Sequence, residues 1–515
     1  MKTNKNILLI QHHSPRINFT VPLGLAYLAA IINKGWVAKI IDATAPYSHG
    51  GIKYILVKAL EYKPRFIGIS INTLFAGFAY DLIKELKKFN FTIFAGGPHA
   101  TLFPHEVLAN GADIVVRGEA EHTVEELVRF FGGERPLEDI IGLSFLDKNG
   151  RFIDNPDRAL ENNLDVFPFP AKEAFDIDAY AKSDFELWRY GGIITSRGCI
   201  GRCNYCSRVV CGDRYRVRSV DNVLEEIIIL HQRYGLCDFY FLDDIFTADK
   251  IRTNLLCEKI KGKLDFDFTF SCITRFDRID RELLRKMKEA GCTAINYGVE
   301  SANSESLKKI NKSVTAEEMV TKIHYTKEAG IDCSINFMWG YPWESDLETQ
   351  NTISLMKGLA KEVSEIMPGG ILIPFPGTEL YEQNKERYGL DNWWLDRDRF
   401  TGSYRRKSCV ALFRHYLFDD QGQFEGGGFF NISRKSLAKI RSAAGFIGWH
   451  NLRKRHSWLI SSGIFVLCEL SRILYYTNRN LGCLFSKFVL FLIGVKNRLV
   501  KKDILFSLDK RSQLD

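Results

Sequence analysis

Short apolar runs alternate with stretches of helical periodicity along most of this chain, and that alternation restricts it to α/β folds built on parallel sheets. Residues 7–10, 38–41, 66–71, 91–95 and 114–116 have the length and branched content of buried strands. Residues 23–33, 52–60 and 78–89 have helical spacing between them, and a further helix follows His122. A doubly wound, Rossmann-like domain is therefore predicted over residues 1–140, with ligands at the carboxyl ends of its strands. Weak periodicity and scattered prolines predict a connection over 141–190. A second series then begins, with strands at 193–195, 239–242, 268–272, 294–298, 334–338 and 365–373. Six strands with intervening helices predict a partial (β/α)6 TIM-type barrel over 191–400, its chemistry at the strands' C-terminal ends. Residues 401–515 read as a basic, mainly helical C-terminal region.

A chain of 515 residues exceeds one ordinary core. Twelve cysteines without a secretory signal in Met1–Lys5 predict reduced thiols in the cytoplasm, some of them metal ligands. The net charge of +8 is uneven: residues 403–515 carry 20 Lys and Arg against 7 Asp and Glu, which leaves the rest mildly acidic. Two apolar stretches in that tail, 459–477 and 481–495, are no membrane spans, because Glu469, Arg472 and Lys487 interrupt them. Arg453, Lys454 and Arg455 precede them and Lys496, Arg498, Lys501 and Lys502 follow. Two readings stay open: peripheral contact with an anionic membrane surface on the inner face, or helices that cover the open side of the barrel. The tail's charges interleave with long aliphatic runs and not with a pattern of base-stacking aromatics, which argues against nucleic acid.

The sharpest chemical signal is Ser196-Arg-Gly-Cys199-Ile-Gly-Arg-Cys203-Asn-Tyr-Cys206. Three thiolates within eight residues, just after a strand, wrap one small metal centre from a single loop. With three ligands, one iron of a [4Fe–4S] cubane stays open for an outside ligand. Structural zinc would want a fourth protein ligand, which Cys211 could supply.

The C-x3-C-x2-C spacing resembles the cluster loop of the radical S-adenosylmethionine (SAM) superfamily. The resemblance implies that SAM binds the open iron and that one-electron reduction releases a 5′-deoxyadenosyl radical. An external donor such as flavodoxin or ferredoxin would supply the electron. It also implies cofactor contacts. Tyr205 would lie by the adenine, and Asp243, in Phe241-Leu-Asp243-Asp244, at the barrel mouth. Arg275 follows strand three, and Glu300 and Ser301 follow strand four near the SAM ribose or amine. Gly340, in Trp339-Gly340-Tyr-Pro342, belongs to the turn beside the adenine. Pro374-Phe-Pro376-Gly377-Thr378 resembles the segment near strand six.

In the first domain Gly68-Ile-Ser70-Ile-Asn-Thr73, Ala95-Gly96-Gly97-Pro98-His99, Val116-Arg-Gly118-Glu119-Ala-Glu121-His-Thr123 and Pro22-Leu-Gly24-Leu-Ala-Tyr27-Leu-Ala resemble a further feature of that superfamily. They look like the cobalamin-binding domain that precedes the barrel in one subclass, which includes carbon methyltransferases and the anaerobic magnesium-protoporphyrin monomethyl ester oxidative cyclase. Ser70, Thr73, Gly96, Gly97 and Glu119 would then contact cobalamin. The usual Asp-x-His-x-x-Gly loop is absent, and His12 and His13 lie outside that pattern, so the lower cobalt ligand stays open. The resemblance implies methyl transfer to an unactivated carbon, and the apolar tail, if it meets a membrane, points to a hydrophobic small-molecule substrate. Oxidative cyclisation or rearrangement on the same machinery, and a non-catalytic cobalamin or redox sensor, are the alternatives.

Overall fold

Ile7, Leu8, Leu9 and Ile10 are all buried in β1 (Asn6–Gln11), the strand on which the first sheet is built. In this computed structural model, residues 4–12, 21–43, 51–175, 191–396, 429–430 and 432–455 are described. β1 pairs in parallel with β2 (Val37–Asp42) on one side and β3 (Phe66–Ser70) on the other. The sheet continues in parallel through β4 (Thr92–Gly96) and β5 (Ile114–Val116). Helices Leu23–Ile32, Gly51–Tyr62, Ala76–Lys87 and Glu121–Phe131 alternate with these strands as the periodicity predicts.

Residues 143–154, read from the sequence as part of a connection, extend this sheet. β6 (Leu143–Leu146) pairs antiparallel with β5, and β7 (Phe152–Asp154) antiparallel with β6. Strands of four and three residues carry too little pattern of their own. They are held by the neighbouring strand and by Asp147, whose carboxylate accepts from the backbone N–H of Asn149 and Arg151, both at 2.8 Å.

The chain divides into two units, the first comprising Met1–Gly298, Leu307–Cys333 and Ile373–Arg397, the second Val299–Ser306, Ser334–Leu372 and Asp398–Asp515. Within the first, β8 (Gly192–Ile193) leads into β9 (Ser196–Arg197), which pairs antiparallel with β10 (Arg216–Val217). β8 lies parallel to β11 (Asp238–Phe241), β11 to β12 (Thr269–Thr274), and β12 to β13 (Cys292–Glu300). Phe239, Phe241, Phe270, Phe276 and Tyr297 fill the core here, with Phe276 stacked on Tyr297 at 4.4 Å between centroids. In the second unit β14 (Asp332–Trp339) and β15 (Glu365–Ile371) are a parallel pair.

Six helices of this series start on a side chain that bonds a first-turn N–H: Ser219, Asp249, Asp280, Thr315, Ser345 and Thr378. Two of these, Thr315 with Glu318 and Ser345 with Glu348, are full capping boxes. Each cap satisfies a backbone donor that would otherwise lack a helical partner, so local sequence sets where these helices begin.

The basic tail is described as far as the helix Arg434–Arg455. Asn451 accepts from the N–H of Ile366 at 3.4 Å and donates to its carbonyl at 2.8 Å, and Lys454 donates to the carbonyl of Ala360 at 2.8 Å. Ser436 donates to Asp346 at 2.6 Å. This part of the tail lies against β15 and satisfies both backbone groups of Ile366, which an uncovered strand edge would leave unpaired. Segments 459–477 and 481–495 lie outside the described residues, and among the described residues no helix is long and apolar enough to cross a membrane.

Candidate active site

The cysteine loop leaves β8 through a fixed corner. Thr195 N–H, Ser196 N–H and the Thr195 hydroxyl all donate to the Asp243 carboxylate, at 2.6, 2.8 and 2.5 Å. Burial pushes that carboxyl above its ordinary range against the pull of these bonds. Asp243, expected at a cofactor, instead turns back to hold the strand end, because three donors from the neighbouring strand converge on it. Its neighbour Asp244 faces a cavity, and burial raises its carboxyl too.

Within the loop, Gly201 N–H donates to Cys199 Sγ at 3.3 Å, and Arg275 approaches Cys203 Sγ at 3.6 Å. Arg275 is itself held by Asp277 at 2.8 Å. A Cβ on Gly201 would stand 3.1 Å from the Arg275 guanidinium and 3.2 Å from Cys199 Sγ, tighter than side chains pack, so only glycine fits easily between them. Asn204 ties the loop down: its carbonyl accepts from Leu380 N–H at 2.9 Å, and its side-chain amide donates to the Lys309 carbonyl at 2.7 Å. Tyr205 is half-buried and Cys206 is exposed. Burial pushes the Cys199 thiol up, and the nearby Asp244 carboxylate adds to it. Thiolate ligation must therefore displace protons.

These residues fit an iron–sulfur cluster, since N–H donors directed at cysteine sulfur are a means by which proteins tune one. Among the described residues no three His, Cys, Asp or Glu side chains close on a point a single ion would occupy. The cysteines of a cubane each take a different iron.

A cavity of about 360 Å³ adjoins this loop within the first unit. Gln11, Ser70, Gly96, Gly97 and Glu119 line it from the strand ends of the first sheet, and Ser196, Arg197, Gly198 and Cys211 from the foot of the cysteine loop. Leu9, Leu25, Leu28, Phe94 and Leu242 make it largely apolar. Such a chamber, apolar with a few polar groups at its edge, fits a corrin, and strand ends are where the α/β rule puts ligands.

Several first-domain residues take positions the sequence did not foretell. Gly97 has φ +96°, and a Cβ there would come within 2.9 Å of the Ile71 carbonyl oxygen. Glycine is needed for the backbone turn as much as for a ligand's approach. Thr73 is buried away from the cavity with its hydroxyl 3.3 Å from His99 Nδ1. His99 Nε2 lies 2.8 Å from the Tyr80 hydroxyl, which donates to Glu106 at 2.6 Å. Glu106 also accepts from Trp394 Nε1 at 3.1 Å. Glu119 lines the cavity, but both its oxygens are taken by Arg216, at 2.8 and 2.7 Å. His12 is buried near Phe75, and His13 lies outside the described residues. Arg197, Glu121 and Tyr27 also line the cavity, and all three stand inside the motifs that marked the site without being singled out there.

In the second unit, Glu300 ends β13 with φ +68°, a conformation a non-glycine residue adopts only under constraint. Ser301 donates to Glu344 at 2.7 Å, and Asn303 donates to the Glu348 carbonyl at 2.9 Å. Burial raises the Glu344 carboxyl. Gly340 has φ +86°, and a Cβ on it would stand 3.3 Å from an Ile371 methyl. The space beside that turn is thus filled by side chains.

The family model described as the radical SAM superfamily matches residues 193–356, and the B12 binding domain matches residues 18–128. The chain is 33% identical over 393 residues to the uncharacterized methyltransferase PH0819 of Pyrococcus horikoshii, a span covering 74% of this chain and 83% of that one. It is 28% identical over 387 residues to the cytidylyl-2-hydroxyethylphosphonate methyltransferase of Streptomyces wedmorensis, covering 66% and 72%. It is 25% identical over 424 residues to the anaerobic magnesium-protoporphyrin IX monomethyl ester cyclase of Rubrivivax gelatinosus, covering 77% and 75%. Among solved structures, the radical SAM methyltransferase TsrM of Kitasatospora setae, with cobalamin and a [4Fe–4S] cluster bound, gives a TM-score of 0.60 at 18% identity, covering 75% of this chain and 76% of that one. The cobalamin-dependent radical SAM enzyme OxsB with aqua-cobalamin gives 0.64 at 15%, covering 88% and 80%. Both share the fold: a Rossmann-like domain followed by a partial barrel.

Sheet, loop and cavity together define an enzyme that generates radicals from SAM. More narrowly, the chain belongs to the cobalamin-dependent family of the radical SAM superfamily, and its cofactors are a [4Fe–4S] cluster, SAM and cobalamin. The reading as a non-catalytic sensor falls with that.

Proposed function

We propose that this enzyme transfers a methyl group to an unactivated carbon of a hydrophobic small molecule. The observation that carries this reading is the apolar cavity, lined on one side by the strand ends of the cobalamin-binding domain and on the other by the foot of the cluster loop. When bound, the cluster and SAM supply one-electron cleavage and a hydrogen-abstracting radical, and cobalamin supplies a methyl carrier. The protein's part is positional. Cys199, Cys203 and Cys206 hold the cluster, while Gly201 and Arg275 donate toward two of their sulfurs. Ser70, Gly96 and Gly97 would border the corrin, and the leucine and phenylalanine walls keep bulk water out of the site. By family resemblance Tyr205, Arg275, Glu300, Ser301 and Gly340 serve SAM.

The test is incubation of the reconstituted, reduced enzyme with SAM bearing a trideuterated methyl group, using extracts of a deletion strain as substrate source. A product heavier by the labelled methyl group supports the reading. 5′-Deoxyadenosine formation with an altered but unlabelled product supports cyclisation or rearrangement, which the similarity to the cyclase favours. Cytoplasmic location belongs to the same proposal. So does contact of residues 459–495 with anionic lipid, which sedimentation with anionic liposomes and release by salt would support.

A further inference from the structure

A second hollow, of about 550 Å³, opens on the other flank of the cysteine loop and differs in chemistry from the apolar cavity. Ile200, Gly201 and Arg202, the three residues between Cys199 and Cys203, form one wall. Arg275, Arg278, Lys308 and Lys312 complete it, so five basic side chains face a single carboxylate, Asp277. Lys308 and Asn311 are exposed at the rim and Arg278 is partly so, while Arg202 extends to Asp213 at 2.9 Å. The body of the chain outside the tail is mildly acidic, so this concentration of positive charge is local.

We propose that this basic hollow is the docking face for an acidic one-electron carrier protein that reduces the cluster. The proposal rests on the radical SAM assignment and not on the identity of the substrate. Three observations carry it. Basic groups outnumber the one carboxylate, Asp277, in a concave surface, an arrangement that focuses a field and speeds encounter with an anionic partner. It is polar, so a hydrophobic substrate gains nothing by entering. Its floor is the cluster loop itself, and Arg275 spans from the hollow to within 3.6 Å of Cys203 Sγ. A carrier seated here stands one side chain from a cluster ligand. Redox partners meet through small, charged, short-lived interfaces of this kind. The step is simple: one electron leaves the reduced carrier and enters the oxidised cluster, with no bond made or broken and no proton moved.

The experiment uses full-length, cluster-loaded enzyme and reduced flavodoxin as the acidic probe, with photoreduced deazaflavin as a small reductant that needs no docking face. In wild type, flavodoxin-driven cluster reduction should fall steeply with added salt. In Arg278→Glu/Lys308→Glu it should be slower by about tenfold or more at low salt and nearly insensitive to salt. Deazaflavin should reduce both proteins equally, and SAM affinity should be unchanged. An unaltered flavodoxin rate and affinity would overturn the proposal. So would equal slowing with both reductants, which would locate the damage at the cluster. Lost SAM binding with normal flavodoxin reduction would overturn it too, by making the hollow part of the SAM site. Should the double variant fail to load its cluster, carbodiimide cross-linking of wild type to flavodoxin decides. Linkage through Lys308 is expected, and linkage confined to distant lysines overturns the proposal.

Discussion

The Arg197 guanidinium lies between the carboxylates of Glu119 and Glu121, 3.3 and 2.5 Å away, two residues before the first cluster cysteine. Glu119 also takes both terminal nitrogens of Arg216, on the strand that closes the cysteine loop. All four side chains are nearly buried, the most open at 11%. A cobalamin-side loop and the foot of the cluster loop are thus held by one ionic network. Arg197→Met leaves two buried carboxylates short of a partner, and removing one member of such a group costs about 3–5 kcal/mol. We expect a lower unfolding midpoint, with cobalamin and iron content falling together. Glu119→Gln, whose amide oxygen still accepts, should be milder. Wild-type stability and full loading of both cofactors in Arg197→Met would show that the network holds nothing.

The cysteines give a direct test. Cys199→Ala, Cys203→Ala and Cys206→Ala should each abolish iron–sulfur absorbance near 400 nm, as expected where three thiolates hold one cluster. Cys211 lines the apolar cavity, so Cys211→Ala should keep most of it. Loss of the cluster in Cys211→Ala, or stoichiometric zinc in the native protein, would contradict the assignment.

Cobalamin uptake can be separated from folding at two glycines. A Cβ on Gly24, which lines the cavity, meets nothing within 4 Å, so Gly24→Phe should block hydroxocobalamin binding while leaving the unfolding midpoint in place. Gly97→Ala forces a side chain into the left-handed region and against Ile71, at a cost of about 1–3 kcal/mol. It should lower stability first. Full cobalamin uptake by Gly24→Phe would place the corrin elsewhere.

Lys172 is fully buried, donates to the Gly192 carbonyl at 2.9 Å, and is pulled down by that burial from 10.5 to about 8. Below pH 8 both folded and unfolded chains hold the proton, and the burial penalty is complete. Between about 8 and 10.5 only the unfolded chain holds it, so this group's contribution to stability rises with pH, by up to about 3 kcal/mol. Lys172→Met should therefore be most stabilising, relative to wild type, near pH 7, with the difference shrinking by pH 10. Denaturation midpoints at the two pH values measure this, and a difference that grows with pH would refute it.

Local patterns determined much of this protein from the sequence alone. Strand and helix identities follow from periodicity, and six helix starts from single capping residues, because those signals act within one turn of the chain. The cysteine triplet is equally local, since its spacing lets one loop wrap one cluster. Only the tertiary structure decided where polar side chains point. Asp243 turns to Thr195, 48 residues back, Thr73 to His99, and Glu119 to Arg216, 97 residues on. β6 and β7 form on a neighbour's edge, not on a pattern of their own. A buried charge or hydroxyl must find a partner wherever the fold brings one within reach, and that partner is set by distance in space.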